Sequence, residues 1–315
     1  FARVMAAISD DGHGGMLLDR WFRAFAAGPG AGRATFAQFL AELRANQGDD
    51  PHAWDLSKLP FRVTGIHDRL DLARGQDCGE LRVSIASTHP TLAPLHMLFI
   101  FHQPIQPDDV TPDGAIHCRG TARRWAALAA LSPADFATAA RAWIDQGITH
   151  EHFALAESVE LTLSPWQWRQ WLPDGAGGLT NPPLFQTIDA ARVNATGPTR
   201  DAFLAEVIAH EPEMLARQWS VPAAFRAQVA EVQPTEQAGL VDLSPLSVSS
   251  ELPHALGMIG CPRCHTEHAD FVQTSVDRVP SPFYDKELDA RTERIDALAH
   301  GGAVTPVPFG PLQPL

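Results

Sequence analysis

Apolar residues recur at three- and four-residue spacing over Met16 to Ala27 and again over Thr35 to Ala45. That period predicts two amphipathic helices, separated by Gly28-Pro29-Gly30, in a first sixty residues that read as helical throughout. The period then changes. Phe61 to Asp68, Gly79 to Ser87 and Leu95 to His102 are strand-like runs divided by Gly75-Gln76-Asp77 and Thr88-His89-Pro90. Short turn-bounded connections of this kind predict an antiparallel meander over about residues 61–103. Helical pattern returns after Cys118, with Ser132 as an N-cap, Pro133 at the first helical position and Gly147 at the end. Further on, a strand is expected over Val159 to Leu163 and a Trp-rich helix start at Pro165 to Trp168. Helices are expected over Thr199 to Trp219, Val221 to Val232 and about Asp285 to His300, with a short strand at Phe271 to Val276. Gln233 to Pro253, rich in Pro, Ser and Leu, marks a boundary between a body (1–240) and a C-terminal segment (241–315). No internal repeat stands out, and the class is α+β.

Composition narrows the partners more than the fold. With 45% hydrophobic and 19% charged residues, a chain of 315 residues has the material for a packed core and not the signature of disorder. Leu92 to Ile105 is its nearest approach to a membrane-spanning run, and Pro and His interrupt it. A net charge of −13 argues against a nucleic-acid partner, which would need concentrated cations. Only Lys58 and Lys286 are lysines, which reflects base composition rather than a phosphate site. Phe1 is not an initiator residue and no signal peptide is visible, so a processed or truncated form is expected.

The chemistry concentrates in Cys261-Pro262-Arg263-Cys264-His265. A C-x-x-C-H string reads as a c-type haem attachment, in which two thiols add across the vinyl groups and the adjoining imidazole takes the iron. Met258, Ile259, Phe271 and Val272 are apolar enough to cover a porphyrin. No Met follows Met258, so a sixth ligand would be His254, His268 or His300, would come from the body, or would be absent. The alternatives are a zinc site, built from Cys261, Cys264 and His268 with His254 or His265, and a plain thiol pair or disulfide. The remaining cysteines, Cys78 and Cys118, are read as a disulfide closing a loop of about 40 residues, against two unpaired structural thiols. Haem attachment and disulfide formation both belong to an oxidising compartment outside the bacterial cytoplasm.

The meander suggests a second cluster. Its strand ends would bring His67 and Asp68, Glu80 and His102 to one edge, with Arg82 on the same face as Glu80. Two imidazoles and a carboxylate can hold a divalent metal with open positions, act as acid–base partners, or form a buried salt-bridge network with Arg69 and Arg82. Arg69, Asp71 and Arg74 read as strand-end ion pairs. His150-Glu151-His152 does not share a helical face and reads as solvated loop. Trp166, Trp168 and Trp171 read as core, with a carbohydrate-stacking platform as the alternative. Gly-rich phosphate loops and the Gly-x-Ser-x-Gly elbow do not occur.

The residues also carry a resemblance. Pro60-Phe61-Arg62-Val63, Ile66 to Leu72, Cys78-Gly79-Glu80-Leu81-Arg82, Phe99-Ile100-Phe101, Val159-Glu160-Leu161 and Pro165 to Arg169 resemble the core of a group of exported proteins of myxobacteria and other high-GC bacteria. The resemblance continues through the C-x-x-C-H segment with Phe271, Arg278 and Phe283 to Leu298. It implies export and a C-terminal C-x-x-C-H, and no reaction. His67 and His102 depart from that group's pattern, which has Asn and Glu there. The leading expectation is a periplasmic or secreted redox protein with one haem c, serving a partner protein or a small oxidant. The others are a non-catalytic exported binding or assembly module held by zinc and a disulfide, and a non-haem metal enzyme at His67, Glu80 and His102.

Overall fold

The computed structural model describes residues 1–27, 32–73, 77–90, 92, 95–160, 166–174, 179–181, 184–216, 219, 221–229, 231–232, 239–259 and 282–302. Its centre is an antiparallel sheet. Strands β1 (Phe61–Arg69), β2 (Glu80–Ser87), β3 (Leu95–His102), β4 (Phe153–Glu160), β5 (Trp166–Pro173) and β6 (Leu179–Thr180) lie side by side in chain order. The expected α+β class and the meander are both present, and the meander runs on past residue 103 into β4 and β5.

Alternation gives β2 and β3 one strongly apolar face: Leu81, Val83 and Ile85 beside Met97, Phe99 and Phe101. Helices α1 (Ala2–Ile8), α2 (Gly15–Ala27) and α3 (Gly32–Gln47) cover it with Trp21, Phe22, Phe25, Phe36 and Phe39. Each such side chain withdrawn from water contributes about 1.5–3 kcal/mol, so this layer dominates the body's stability. Trp21 is the keystone. Its ring meets Phe99 and Trp171 at 5.7 and 5.5 Å, and its indole N–H donates to Ser158 Oγ at 2.5 Å. Asp19 joins α2 to α3 by accepting from Arg23 and Arg44, both at 2.6 Å.

Two helical expectations give way to strands. Trp166 to Pro173 is strand β5, not a helix start, because its residues pair with β4 from Glu160↔Gln167 to Ala156↔Trp171 and carry Trp171 into the core. Strand-favouring aromatics and tertiary pairing here outweigh the helix-start reading of Pro165. Val221 to Val232 is likewise not a helix. A single 3₁₀ turn at Ala223–Phe225 leads into β8 (Arg226–Val229), which pairs with β7 (Leu184–Ile188), and then into β9 (Glu231–Val232), which pairs with the start of β5.

A second core gathers Ile188, Val193, Phe203, Val207, Phe225, Val241, Leu243, Leu252 and Leu256. It is formed by α6 (Ala190–Asn194), α7 (Pro198–Leu215), the β7–β8 ribbon and α8 (Leu252–Gly257). The boundary expected at residue 240 runs through this cluster, since its members come from both sides of that position. Helices α4 (Arg119–Ala129) and α5 (Pro133–Gly147) follow β3, and Ser132 Oγ caps α5 by accepting from the Asp135 N–H at 3.3 Å. The last described helix, α9 (Pro282–Ala299), packs along α4.

Candidate functional site

The second face of the sheet is polar, yet it too is buried. Cross-strand register puts His67 opposite Arg82, Arg69 opposite Glu80, and Glu80 opposite His102. On β4 and β5 the same face carries Glu157 opposite Gln170. His67, Arg82, Ser84 and Gln170 are 3%, 7%, 5% and 2% exposed, so the middle of this face is closed to bulk water while Glu80 and His102 at its edge are not. Arg82 donates to Glu80 Oε2 through Nε at 2.7 Å and Nη2 at 2.6 Å, an ion pair that spans two positions on one strand face. Arg291, buried on α9, brings a further guanidinium towards His67.

Electrostatics follows from that burial. Withdrawal from water, reinforced by the cations of Arg291, Arg82 and Arg69, holds His67 down to about 4, so its imidazole is neutral at ordinary pH. Burial alone takes His96 to about 4. Burial pushes Glu157 the other way, up to about 7, with Arg82 opposing the rise and Glu80 adding to it. Gln170 Nε2 and His96 Nδ1 are buried without a hydrogen-bond partner among the described residues.

His67, Glu80 and His102 therefore share a face without forming a three-ligand set. Glu80 turns its carboxylate to Arg82, His102 is exposed at the strand end, and three guanidiniums surround His67. Among the described residues no group of three His, Cys, Asp or Glu side chains is placed to hold a metal ion. His152 hydrogen-bonds Thr149 at 2.9 Å in the turn before β4, and His150 faces Asp10 at 3.7 Å. Trp171 is core, with the Arg20 guanidinium 5.5 Å from its ring centre; the side chains of Trp166 and Trp168 lie outside the described residues.

Cys78 and Cys118 are joined in a disulfide, their Cα atoms 5.3 Å apart. Local backbone makes the approach possible. Gly79 takes φ +79° and sits so close to the Arg69 carbonyl that a Cβ would collide with it. Cys118, at φ 55°, is the N-cap of α4. The bridge packs with Leu70, Ala122, Leu298 and Ala299, so it fastens the β1–β2 connection and α4 to the C-terminal end of α9.

Cys261, Cys264, His265 and His268 lie outside the described residues, as do Arg74 and the strand expected at 271–276. The chain approaches them from α8, where Leu252 and Leu256 are buried and His254 is exposed, and departs into α9. His300, at the end of α9, is exposed, with Nδ1 2.8 Å from the Asp296 carbonyl. No family model, curated protein or solved structure matches this chain.

Glu157, Gln170 and Arg291 are members of the buried face that the sequence reading does not include. For Glu157 and Gln170 the signal was alternation along β4 and β5, which in β4 a register shift between Ile100 and Phe101 interrupts; Arg291 on α9 had none.

Proposed function

We propose that the chain is an exported redox protein with one covalently attached haem c, bound through Cys261 and Cys264 and ligated by His265. The observation that carries this reading is the pairing of Cys78 with Cys118 in a chain of four cysteines. That bridge supports maturation in an oxidising compartment, where haem c is also attached, and it leaves the two thiols of the C-x-x-C-H string with no other cysteine to join. The donor set suits the group: two thiols for the thioethers and an adjacent imidazole for the iron. When bound, haem supplies one-electron chemistry. The described histidines contribute little to a sixth ligand from the sheet, because His67 is ringed by cations and His102 faces solvent. An open sixth position favours peroxidase-like chemistry on a small oxidant, and a second imidazole favours electron transfer to a partner protein.

The test is an absorption spectrum of protein matured in a haem c-competent host, before and after acid–organic extraction. A Soret band that stays with the polypeptide, and changes its ligand-field signature in His265→Ala, is the expected result. A colourless chain carrying about one zinc overturns it and assigns Cys261, Cys264 and His268, with His254 or His265, to a zinc site in a non-catalytic exported module.

A further inference from the structure

A cleft of about 470 Å³ opens between the start of α4 and the end of α9, lined by Arg119, Arg123, Ala126, Ala299, His300 and Gly301. Its volume falls within the range of small-molecule sites. The end of α9 is finished by a Schellman arrangement: Gly302 N–H reaches the Ala297 carbonyl at 2.8 Å, Gly301 N–H reaches Leu298 at 3.0 Å, and Gly301 takes φ +90°. The next carbonyl, Ala299, accepts from Arg123 Nε at 3.3 Å. Arg119 lies against Gly301, its Cζ 3.7 Å from where a Cβ there would stand.

The placement of these two arginines is electrostatically poor for the protein alone. Arg119 is the first residue of α4, where the helix dipole disfavours a cation, and Arg123 follows it at i+4, where like charges repel. Arg124, one position on, pairs with Asp108 at 2.6 Å, but neither Arg119 nor Arg123 has a carboxylate partner among the described residues. The partial charge at the end of α9 offsets only about half of one cation. In a chain of net charge −13, these two exposed guanidiniums share one cleft wall without a carboxylate between them among the described residues, an arrangement suited to an anion from outside.

We propose that this cleft binds a phosphate monoester, its phosphate held between Arg119 and Arg123 and its organic part lying over the methyl groups of Ala126 and Ala299. Guanidinium forks match phosphate oxygens in pairs, and neighbouring residues on one helix face stand close enough to grip one phosphate together. The site is built wholly from described residues and is independent of haem attachment.

Calorimetric titration of the full chain with inorganic phosphate tests it, with succinate as the dicarboxylate arm. Saturable binding of one phosphate is expected, weakened about tenfold or more by Arg119→Gln and by Arg123→Gln, and unchanged by Arg141→Gln on exposed α5 surface. Should Arg123→Gln disturb folding through the lost Ala299 contact, Arg119→Gln decides, since the Arg119 side chain makes no hydrogen bond among the described residues and only its backbone N–H is engaged, with His117 Nδ1 at 3.2 Å. The proposal is overturned by absence of saturable phosphate binding, by succinate binding in its place, or by equal weakening in Arg141→Gln.

Discussion

Replacing His67 with asparagine should flatten the dependence of stability on pH between about 4.5 and 6.5. Three buried groups titrate differently in the folded and unfolded chain. His67 and His96 fall from 6.5 to about 4 on folding, and Glu157 rises from 4.5 to about 7. In that window each histidine binds a proton only when unfolded, so each makes stability rise with pH by about 1.4 kcal/mol per unit. Glu157 binds a proton only when folded, so it makes stability fall with pH by about the same amount. Two against one leaves a net rise of about 1.4 kcal/mol per unit in the parent chain, ending near pH 6.5, above which Glu157 alone acts and stability declines towards 7. His67→Asn cancels the net rise, whereas Glu157→Gln about doubles it and removes the decline. Urea denaturation at half-unit intervals from pH 4.5 to 7.5 measures both slopes. Parallel pH profiles for the parent and His67→Asn would refute the buried, cation-ringed placement of this imidazole.

Three further outcomes test the frame around that face. Cys78→Ala/Cys118→Ala opens a covalent loop spanning a sequence separation of 40 residues and should cost about 4 kcal/mol on the chain-entropy account, with hydrogen exchange speeding up in α4 and the last turns of α9. A loss below about 1 kcal/mol would show that packing alone holds those ends together. Arg82→Ala strands Glu80 in a partly buried position and should cost about 3 kcal/mol in urea titration, with Glu80→Gln/Arg82→Met recovering much of it. Asp109 is fully buried and accepts from Thr121 N–H at 2.7 Å, Thr121 Oγ1 at 2.6 Å and Gln106 N–H at 2.9 Å. Asp109→Ala should therefore lower stability by about 2–4 kcal/mol and loosen the start of α4, seen as faster amide exchange at Thr121 and Ala122.

The meander was legible because β1, β2 and β3 have clear period and turn residues between them, and because directly opposed residues must share a face. That logic placed His67, Arg82, Glu80 and His102 on one face of the sheet. It could not say which would interact, since a residue two positions along the same strand competes with a cross-strand neighbour, and Arg82 takes Glu80 in that way. Strand β5 was hidden because Pro165 before a run of Trp and Gln satisfies a helix-start rule locally, while the pairing that decides otherwise comes from β4. Glu157 was hidden by the irregularity at Ile100 and Phe101, which shifts the alternation of β4. The contribution of α9 had no local signal at all, because Arg291 reaches His67 across a sequence separation that no period spans.

Burial on both faces explains why this sheet tolerates so polar a second side. A solvated face would leave Arg82 and Glu80 a screened pair of little worth, and His67 would titrate in its usual range. With α9 packed along α4 and Arg291 buried near His67, the His67 imidazole is held neutral. Such a network adds less stability than hydrophobic replacements of equal volume, and removing any one member leaves an uncompensated charge. Its link to α9 is the Arg291 cation, which acts on His67. That helix carries the chain away from the C-x-x-C-H segment, and the Cys78–Cys118 bridge fastens its far end. Two unlike devices, a buried charge cluster and a covalent link, thus hold the same helix at different points along its length.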